Sequence, residues 1–150
     1  MTDEKLCIPR PEADWARCLP KFYPCKLEDD RLKLAEYLVK LAQKGGSPFT
    51  YTEIGEKIGL ERNDSTLFTH LGALSWVTYR NKKVFLSVLV VRASEQIPGD
   101  GFFKMVAGFR EKPYIESANN DSFIDERDRV YKIAKEGELD FMLTGKTLKD

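Results

Sequence analysis

The chain has 150 residues, and its 24 Lys and Arg side chains balance its 24 Asp and Glu side chains, so its formal net charge is zero. This length is typical of one domain with a single hydrophobic core. No apolar run approaches the roughly 18 residues that a bilayer-spanning helix needs, and the polar, acidic start does not resemble a secretion signal. We therefore expect a cytoplasmic protein without membrane contact. Any nucleic-acid site must be a local patch, because the overall charge does not attract polyanions.

The N-terminal part of the chain differs in composition from the rest. Residues 1–28 contain four of the seven prolines and all three cysteines. Proline removes an amide donor and clashes with the preceding turn, which excludes a long helix. We predict a proline-rich N-terminal arm over residues 1–28, with at most a short helix around Trp15, followed by a single domain over residues 29–150. Whether the arm folds back on this domain is left open by the sequence.

Apolar residues then recur at three- and four-residue spacing, which predicts a helix over residues 30–44. Asp29 or Asp30 is expected to cap its start. Gly45 and Gly46 are expected to end it in the left-handed conformation.

The next stretch, SPFTYTEIGEKIGLERNDSTLFTHLGALSW, predicts two helices joined by a sharp turn. Thr50 or Thr52 is expected to cap a short helix that ends near Ile58, and Gly59 is suited to the turn. A second helix is predicted from Asp64 or Ser65 to Leu74.

Two β-prone runs follow, at residues 77–79 and 84–91, and the four residues between them predict a hairpin. Since the second run is apolar on both faces, it is expected to be a buried central strand. Three helices followed by a hairpin is the order of a winged helix, here residues 29–92.

The C-terminal third adds two more predicted helices. The PGDGFF turn at residues 98–103 is interpreted as a connection into a short helix with its phenylalanines in the core. A last helix is predicted over residues 123–135, capped by Asp121 or Ser122. The predicted fold class is therefore α+β, with a winged-helix-like three-helix core, a β-hairpin or small sheet, and C-terminal helices.

A helix-turn-helix unit inserts its second helix into the major groove of DNA, where exposed side chains meet base edges and phosphates. The predicted base or sugar contacts are Ser65, Thr66, Thr69 and His70. The predicted phosphate contacts are Arg62, Arg80, Lys82 and Lys83. We predict a non-catalytic DNA-binding protein with no cofactor, metal or catalytic residue, although Glu53, Glu56 and Glu61 place negative charge near this face.

The segment PFTYTEIGEKIGL, followed by a leucine-bearing helix and a strand, resembles the DNA-binding region of the alkylguanine alkyltransferase and alkyltransferase-like family. The resemblance covers roughly 30 residues and implies a DNA-binding helix after the short one. Where that family has a Pro-Cys-His-Arg segment, this chain has FLSVLVVRASEQ. The resemblance therefore does not imply repair activity.

A second segment, VFLSVLVVRASEQIPGDGFF, resembles uncharacterised bacterial and phage proteins in which a strand precedes a Pro-Gly-x-Gly-Phe-Phe turn. This resemblance implies a bacterial or phage origin and no particular chemistry.

Other functions remain open at this point. The same fold can present a protein-binding face, as in a phage-encoded inhibitor of a host defence or transcription complex or an accessory subunit. A metal-dependent nuclease would have to use Glu95, Asp100 and Glu111 as metal ligands, with Lys112 as a general acid. A zinc site would need the soft ligands of the chain, which are Cys7, Cys18, Cys25 and His70.

Overall fold

The computed structural model describes residues 8–60, 65–115 and 119–147, and within these ranges the chain forms five α-helices and a two-stranded parallel sheet. The helices are α1 (Asp29–Lys44), α2 (Tyr51–Lys57), α3 (Ser65–Lys82), α4 (Asp100–Phe109) and α5 (Asn119–Lys135). Short 3-10 helices span Asp14–Cys18, Leu86–Leu89 and Asp140–Thr144, and the strands are β1 (Phe49–Thr50) and β2 (Val90–Val91). The predicted α+β class is confirmed. No helix in the described ranges has both the length and the apolar composition needed to span a membrane.

Helix α1 agrees with the predicted helix over residues 30–44, apart from one residue at its start. Gly45 follows it with a φ of 67°, and the amide of Gly46 donates to the carbonyl of Leu41 over 3.1 Å, which is the glycine-based ending expected. The predicted N-cap is wrong, because Glu28 occupies that position and no side chain caps the helix.

The predicted hairpin is wrong, because helix α3 continues through residues 77–79 and ends only at Lys82. Val77 and Thr78 are buried on this helix, and the Thr78 hydroxyl donates to the carbonyl of Ser75 over 3.3 Å. Burial on the core outweighs the modest preference of β-branched residues for strands. Lys83, with a φ of 59°, then ends the helix where a hairpin turn was expected.

Residues 84–91 are buried as predicted, but only their last two residues form a strand. Phe49 pairs with Val90 and Thr50 with Val91, and this pairing is parallel. Parallel neighbours need a long crossover connection, and helices α2 and α3 supply it. The pairing fixes the start of α2 beside the end of the buried segment.

The N-terminal segment, residues 8–28, packs on the core. Ala16, Leu19, Tyr23 and Leu27 are each at most 1% exposed. The short helix predicted around Trp15 is confirmed as the 3-10 helix Asp14–Cys18. These residues therefore belong to the same hydrophobic core as the helices.

The C-terminal helices agree with the predictions except at one start. Phe102 and Phe103 of α4 are buried in the core, as interpreted from the PGDGFF turn. Helix α5 ends at Lys135 as expected but begins at Asn119, so the predicted start at residue 123 is wrong and the backbone of Asp121 and Ser122 is already helical.

Candidate nucleic-acid interface

The first two turns of α3 present most of the predicted base-contact residues. Ser65 and Thr66 are exposed, and Thr69 and His70 are partly exposed. Leu67 and Leu71, on the opposite side of the same turns, are buried. The structure therefore brings the four predicted contacts together on one short stretch of helix, while the predicted phosphate contact at residue 62 lies outside the described residues.

Local sequence signals fix helix α2 in front of this stretch. Thr50 accepts a hydrogen bond from the amide of Glu53, and the Glu53 carboxylate accepts one from the amide of Thr50, which together form a capping box. The same bonds lower the pKa of Glu53, so this exposed carboxylate stays ionised near the interface. Gly59 makes the predicted turn with a φ of 81°. Both the cap at residue 50 and the turn at residue 59 are confirmed.

Helix α1 contributes a residue to this face that the sequence did not reveal. The Nε of Arg31 donates a hydrogen bond to Nδ1 of His70 over 3.0 Å. This contact joins residues 39 positions apart in the chain. The sequence held no signal for it, because Arg31 is one of several charged residues on an amphipathic helix.

The predicted cluster of phosphate contacts, residues 80–83, lies at the opposite end of α3. The ten residues from His70 to Arg80 correspond to about 15 Å of helix axis. Lys82 is in an ion pair with Glu138, with an N–O distance of 3.3 Å. The guanidinium of Arg80 lies over the ring of Tyr23, 5.3 Å from its centroid. The ammonium of Lys83 lies over the ring of Tyr79, 4.9 Å from its centroid. These cations do not form the tip of a wing, and they do not join the first two turns of α3 in one compact patch.

The middle of α3 is covered by other parts of the chain. Residues 71–78 are all buried. Trp76 packs edge-on against Tyr23, with ring centroids 5.4 Å apart, and the backbone of Cys18 lies directly over Gly72. Only the two ends of the helix are accessible to a large ligand such as a DNA duplex.

A mainly apolar pocket adjoins the first two turns of α3. Its volume is about 420 Å³, with the solvent at its open mouth included. Phe68 stands at this pocket with 48% of its surface exposed and packs on Tyr51, with ring centroids 5.4 Å apart. Further lining residues are Cys18, Leu71, Gly72, Ser87, Gly99, Gly101, Phe102 and Met105.

The hydroxyl groups that line the pocket form hydrogen bonds within the protein. The Tyr51 hydroxyl accepts a hydrogen bond from the amide of Gly99 over 2.9 Å, and burial raises the pKa of this tyrosine. The hydroxyls of Ser75 and Ser87 are 2.6 Å apart. Burial also raises the pKa of Cys18, so its sulfur is a thiol rather than a reactive thiolate.

The residues considered for a nuclease are not assembled into a site. Asp100 is the first residue of α4 and Glu111 lies two residues beyond its end, so the ten-residue helix, about 15 Å long, separates them. Arg92 forms ion pairs with Asp100 at 3.7 Å and with Glu95 at 3.5 Å. Within residues 8–60, 65–115 and 119–147, no group of three or more His, Cys, Asp or Glu side chains is arranged to hold a metal ion.

Among the described residues, Cys18, Cys25 and His70 are not part of any group of three or more potential metal ligands. Cys7 lies outside the described residues, Cys18 contacts the sulfur of Met105 at 3.9 Å, and Cys25 is exposed. Comparison of the chain with protein-family models, curated proteins and solved structures found no match in any of the three.

Proposed function

We propose that this protein binds double-stranded DNA without catalysis, through the first two turns of α3. The observation that carries this proposal is the exposure of short polar side chains at residues 65–70, on a helix whose remaining length is buried up to residue 78. Helix-turn-helix proteins read base edges with the N-terminal residues of their second helix. The same order of elements occurs here: helix α2 is followed by the turn at Gly59 and then by helix α3.

The charge distribution on α3 supports the proposal. Its 18 residues include Arg80 and Lys82 but no Asp or Glu, although acidic residues are as numerous as basic ones in the whole chain. The N-terminal end of a helix carries a partial positive charge from its unpaired amides. The helix end presented by residues 65–70 therefore offers a partial positive charge to a phosphate backbone, against the negative charge that Glu53 and Glu56 place nearby.

The proposal keeps the three helices of a winged helix but not its wing. Helices α1, α2 and α3 supply the three-helix order, and the cationic residues after α3 lie on a helix end in place of a wing. In this arrangement Arg80 and Lys83 reach at most a flanking phosphate, and sequence readout falls to the first two turns of α3.

The proposal is tested by fluorescence anisotropy of a labelled duplex of random sequence, titrated with the protein at several salt concentrations. We expect the dissociation constant to rise steeply with salt, because phosphate contacts release counterions. The double variant Ser65→Glu/Thr69→Glu is expected to weaken binding at least tenfold. An acidic residue at position 65 stabilises the first turn of a helix, and position 69 is partly exposed, so we do not expect unfolding of α3 to cause this loss.

The matched control is Thr144→Glu, which adds a carboxylate at an exposed threonine of the C-terminal 3-10 helix. It is expected to bind almost as tightly as the wild type. Absence of wild-type binding at low salt would refute the proposed function. Equal losses in the control and in the double variant would refute the assignment to α3.

A second function, protein binding as an inhibitor or accessory subunit, is favoured by one observation. Phe68 is 48% exposed beside an apolar pocket, and exposed aromatic residues of this kind often anchor protein interfaces. The test compares wild type with Phe68→Asp in pull-downs from nuclease-treated bacterial lysate. A partner that survives nuclease treatment and is lost with Phe68→Asp would favour this function, and partners that depend on nucleic acid would count against it.

A further inference from the structure

Arg31 and His70 form a pair that links helix α1 to the proposed DNA face. Because Nδ1 of His70 accepts the hydrogen bond from Arg31, the proton of a neutral imidazole must be on Nε2. The bond fixes the ring orientation of His70 and holds the guanidinium beside the first two turns of α3. The two side chains therefore form one hydrogen-bonded unit at this face.

The charge of Arg31 is not neutralised within the described part of the chain. Its side-chain hydrogen bond goes to a ring nitrogen of His70, and no carboxylate in the described ranges forms an ion pair with it. Arg92 and Arg110, by contrast, each have a carboxylate partner. Burial is the one cause that lowers the pKa of Arg31. A partly buried guanidinium remains charged at neutral pH and is usually paired.

We propose that Arg31 is a phosphate-binding residue of the DNA face, held in place by its hydrogen bond to His70; this inference rests on the proposed function. A guanidinium has planar donors that match phosphate oxygens, including when one of its N–H groups is already used. Its position next to residues 65–70 lets a DNA phosphate supply the missing negative charge. His70 thereby acts as a positioning residue for Arg31 as well as a candidate contact.

The test measures DNA affinity against salt concentration for two replacements of Arg31. Arg31→Gln keeps a hydrogen-bond donor but removes the charge, and we expect about tenfold weaker binding and a salt slope smaller by about one. Arg31→Lys keeps the charge, so we expect the wild-type slope with affinity only partly restored, because the ammonium lacks the planar donor geometry. The matched control is Arg17→Gln, at a guanidinium that is 81% exposed and paired with Asp14.

Two measurements separate this role from a structural one. A loss of affinity that is the same at all salt concentrations, with an unchanged slope, would refute the phosphate contact. The ring nitrogen chemical shifts of His70 in the wild-type protein report the bond directly: an acceptor Nδ1 with a protonated Nε2 supports the unit, and the opposite tautomer overturns it. This second readout does not depend on whether any variant folds.

The remaining outcomes distinguish the two proposals. If the wild-type protein binds DNA and Arg31→Gln binds it equally tightly, the role of Arg31 is overturned and the proposed DNA binding stands. If the wild-type protein does not bind DNA, both proposals are overturned. Inorganic phosphate is titrated into the complex against sodium chloride of equal ionic strength. Displacement by inorganic phosphate no greater than that by the chloride would support a site for DNA phosphodiesters, and much stronger displacement would identify a site for free phosphate instead.

Discussion

The backbone of Gly72, in the middle of helix α3, lies directly against the carbonyl of Cys18, so that a Cβ at residue 72 would stand 2.2 Å from that oxygen. This contact allows the N-terminal segment to approach the helix more closely than any side chain would permit. Residues 8–28 thereby cover the centre of α3 and leave its two ends accessible. A glycine in the middle of a helix is otherwise unfavourable.

Gly72→Ala is expected to destabilise the protein, because the added methyl group meets backbone atoms that cannot rotate away. Overpacking of this kind costs about 1–3 kcal/mol, which exceeds the gain of about 1 kcal/mol in helix propensity. Gly101→Ala is the control, since a Cβ there meets nothing within 4 Å. In urea unfolding, the free energy of unfolding should fall for Gly72→Ala and rise for Gly101→Ala. A stabilised Gly72→Ala would contradict the close contact.

Glu126 is a buried carboxylate on which two arginines and one backbone amide converge. It is 2% exposed and accepts hydrogen bonds from Arg110 at 2.5 Å and from the amide of Phe85 at 2.9 Å; Arg129 lies 3.4 Å away. Removing one partner from a buried ion pair costs about 3–5 kcal/mol, so Glu126→Ala should lower the free energy of unfolding by that order. Asp125→Ala, at an exposed carboxylate of the same helix, should change it by less than about 0.5 kcal/mol. Similar urea midpoints for the two variants would rule out this role of the buried carboxylate.

Thr50 and Thr52 were equivalent candidates for the cap of α2, and the structure distinguishes them. Only Thr50 accepts the hydrogen bond from Glu53. Thr50→Ala should therefore lower the free energy of unfolding by about 1 kcal/mol, whereas Thr52→Ala, at an exposed position, should leave it nearly unchanged or raise it. Thermal unfolding of the two variants checks this, and a larger loss at residue 52 would be inconsistent with the capping box.

Tyr23 makes stability sensitive to alkaline pH. Burial raises the pKa of its phenol from 10.0 to about 12, and the hydroxyl donates to the carbonyl of Thr147. Between these two values the folded state binds more protons than the unfolded state, so the free energy of unfolding decreases as the pH rises. This contribution is fully present below pH 10 and lost through pH 12. Tyr23→Phe should give a flatter decline in that window, and an unchanged decline would mean that the phenol titrates normally.

The local features of the fold were predictable because they depend on short-range chemistry. Gly45 and Gly59 adopt the left-handed conformations expected of them, and Thr50 forms the cap that its spacing to Glu53 suggested. The path of residues 77–91 was not predictable in the same way. Val77 and Thr78 prefer strands locally, but their burial on the core keeps them helical, and the parallel pairing of β1 with β2 joins residues that are far apart in the sequence.

The candidate site was predictable only in part, for the same reason. Helical spacing was sufficient to place Ser65, Thr66 and Thr69 on an outward face. The contact of Arg31 with His70 depends on how α1 packs beside α3, and a single sequence contains no record of that packing.

The cationic residues at the end of α3 give the last prediction, which compares the two ends of the helix. Lys82→Glu/Lys83→Glu would be the obvious variant for a wing. Lys82, however, is paired with Glu138 and its side chain is only 16% exposed. This variant would therefore lower stability as well as positive charge, and a loss of DNA affinity could come from either. Arg80→Glu/Lys83→Glu leaves that ion pair intact and is the cleaner test.

If Arg80 and Lys83 reach a flanking phosphate, their double reversal should reduce the salt slope by about one to two, since each phosphate contact contributes about one to the slope. The loss of affinity should nevertheless be smaller than that of Ser65→Glu/Thr69→Glu, because the duplex would still occupy the first two turns of α3. Lys82→Glu/Glu138→Lys, which re-forms the ion pair in reverse, serves as the control for stability. A larger loss from the distant reversal than from the variant at residues 65 and 69 would shift the DNA site to the C-terminal end of α3. An unchanged slope would confine DNA contacts to the face formed by the first two turns and Arg31.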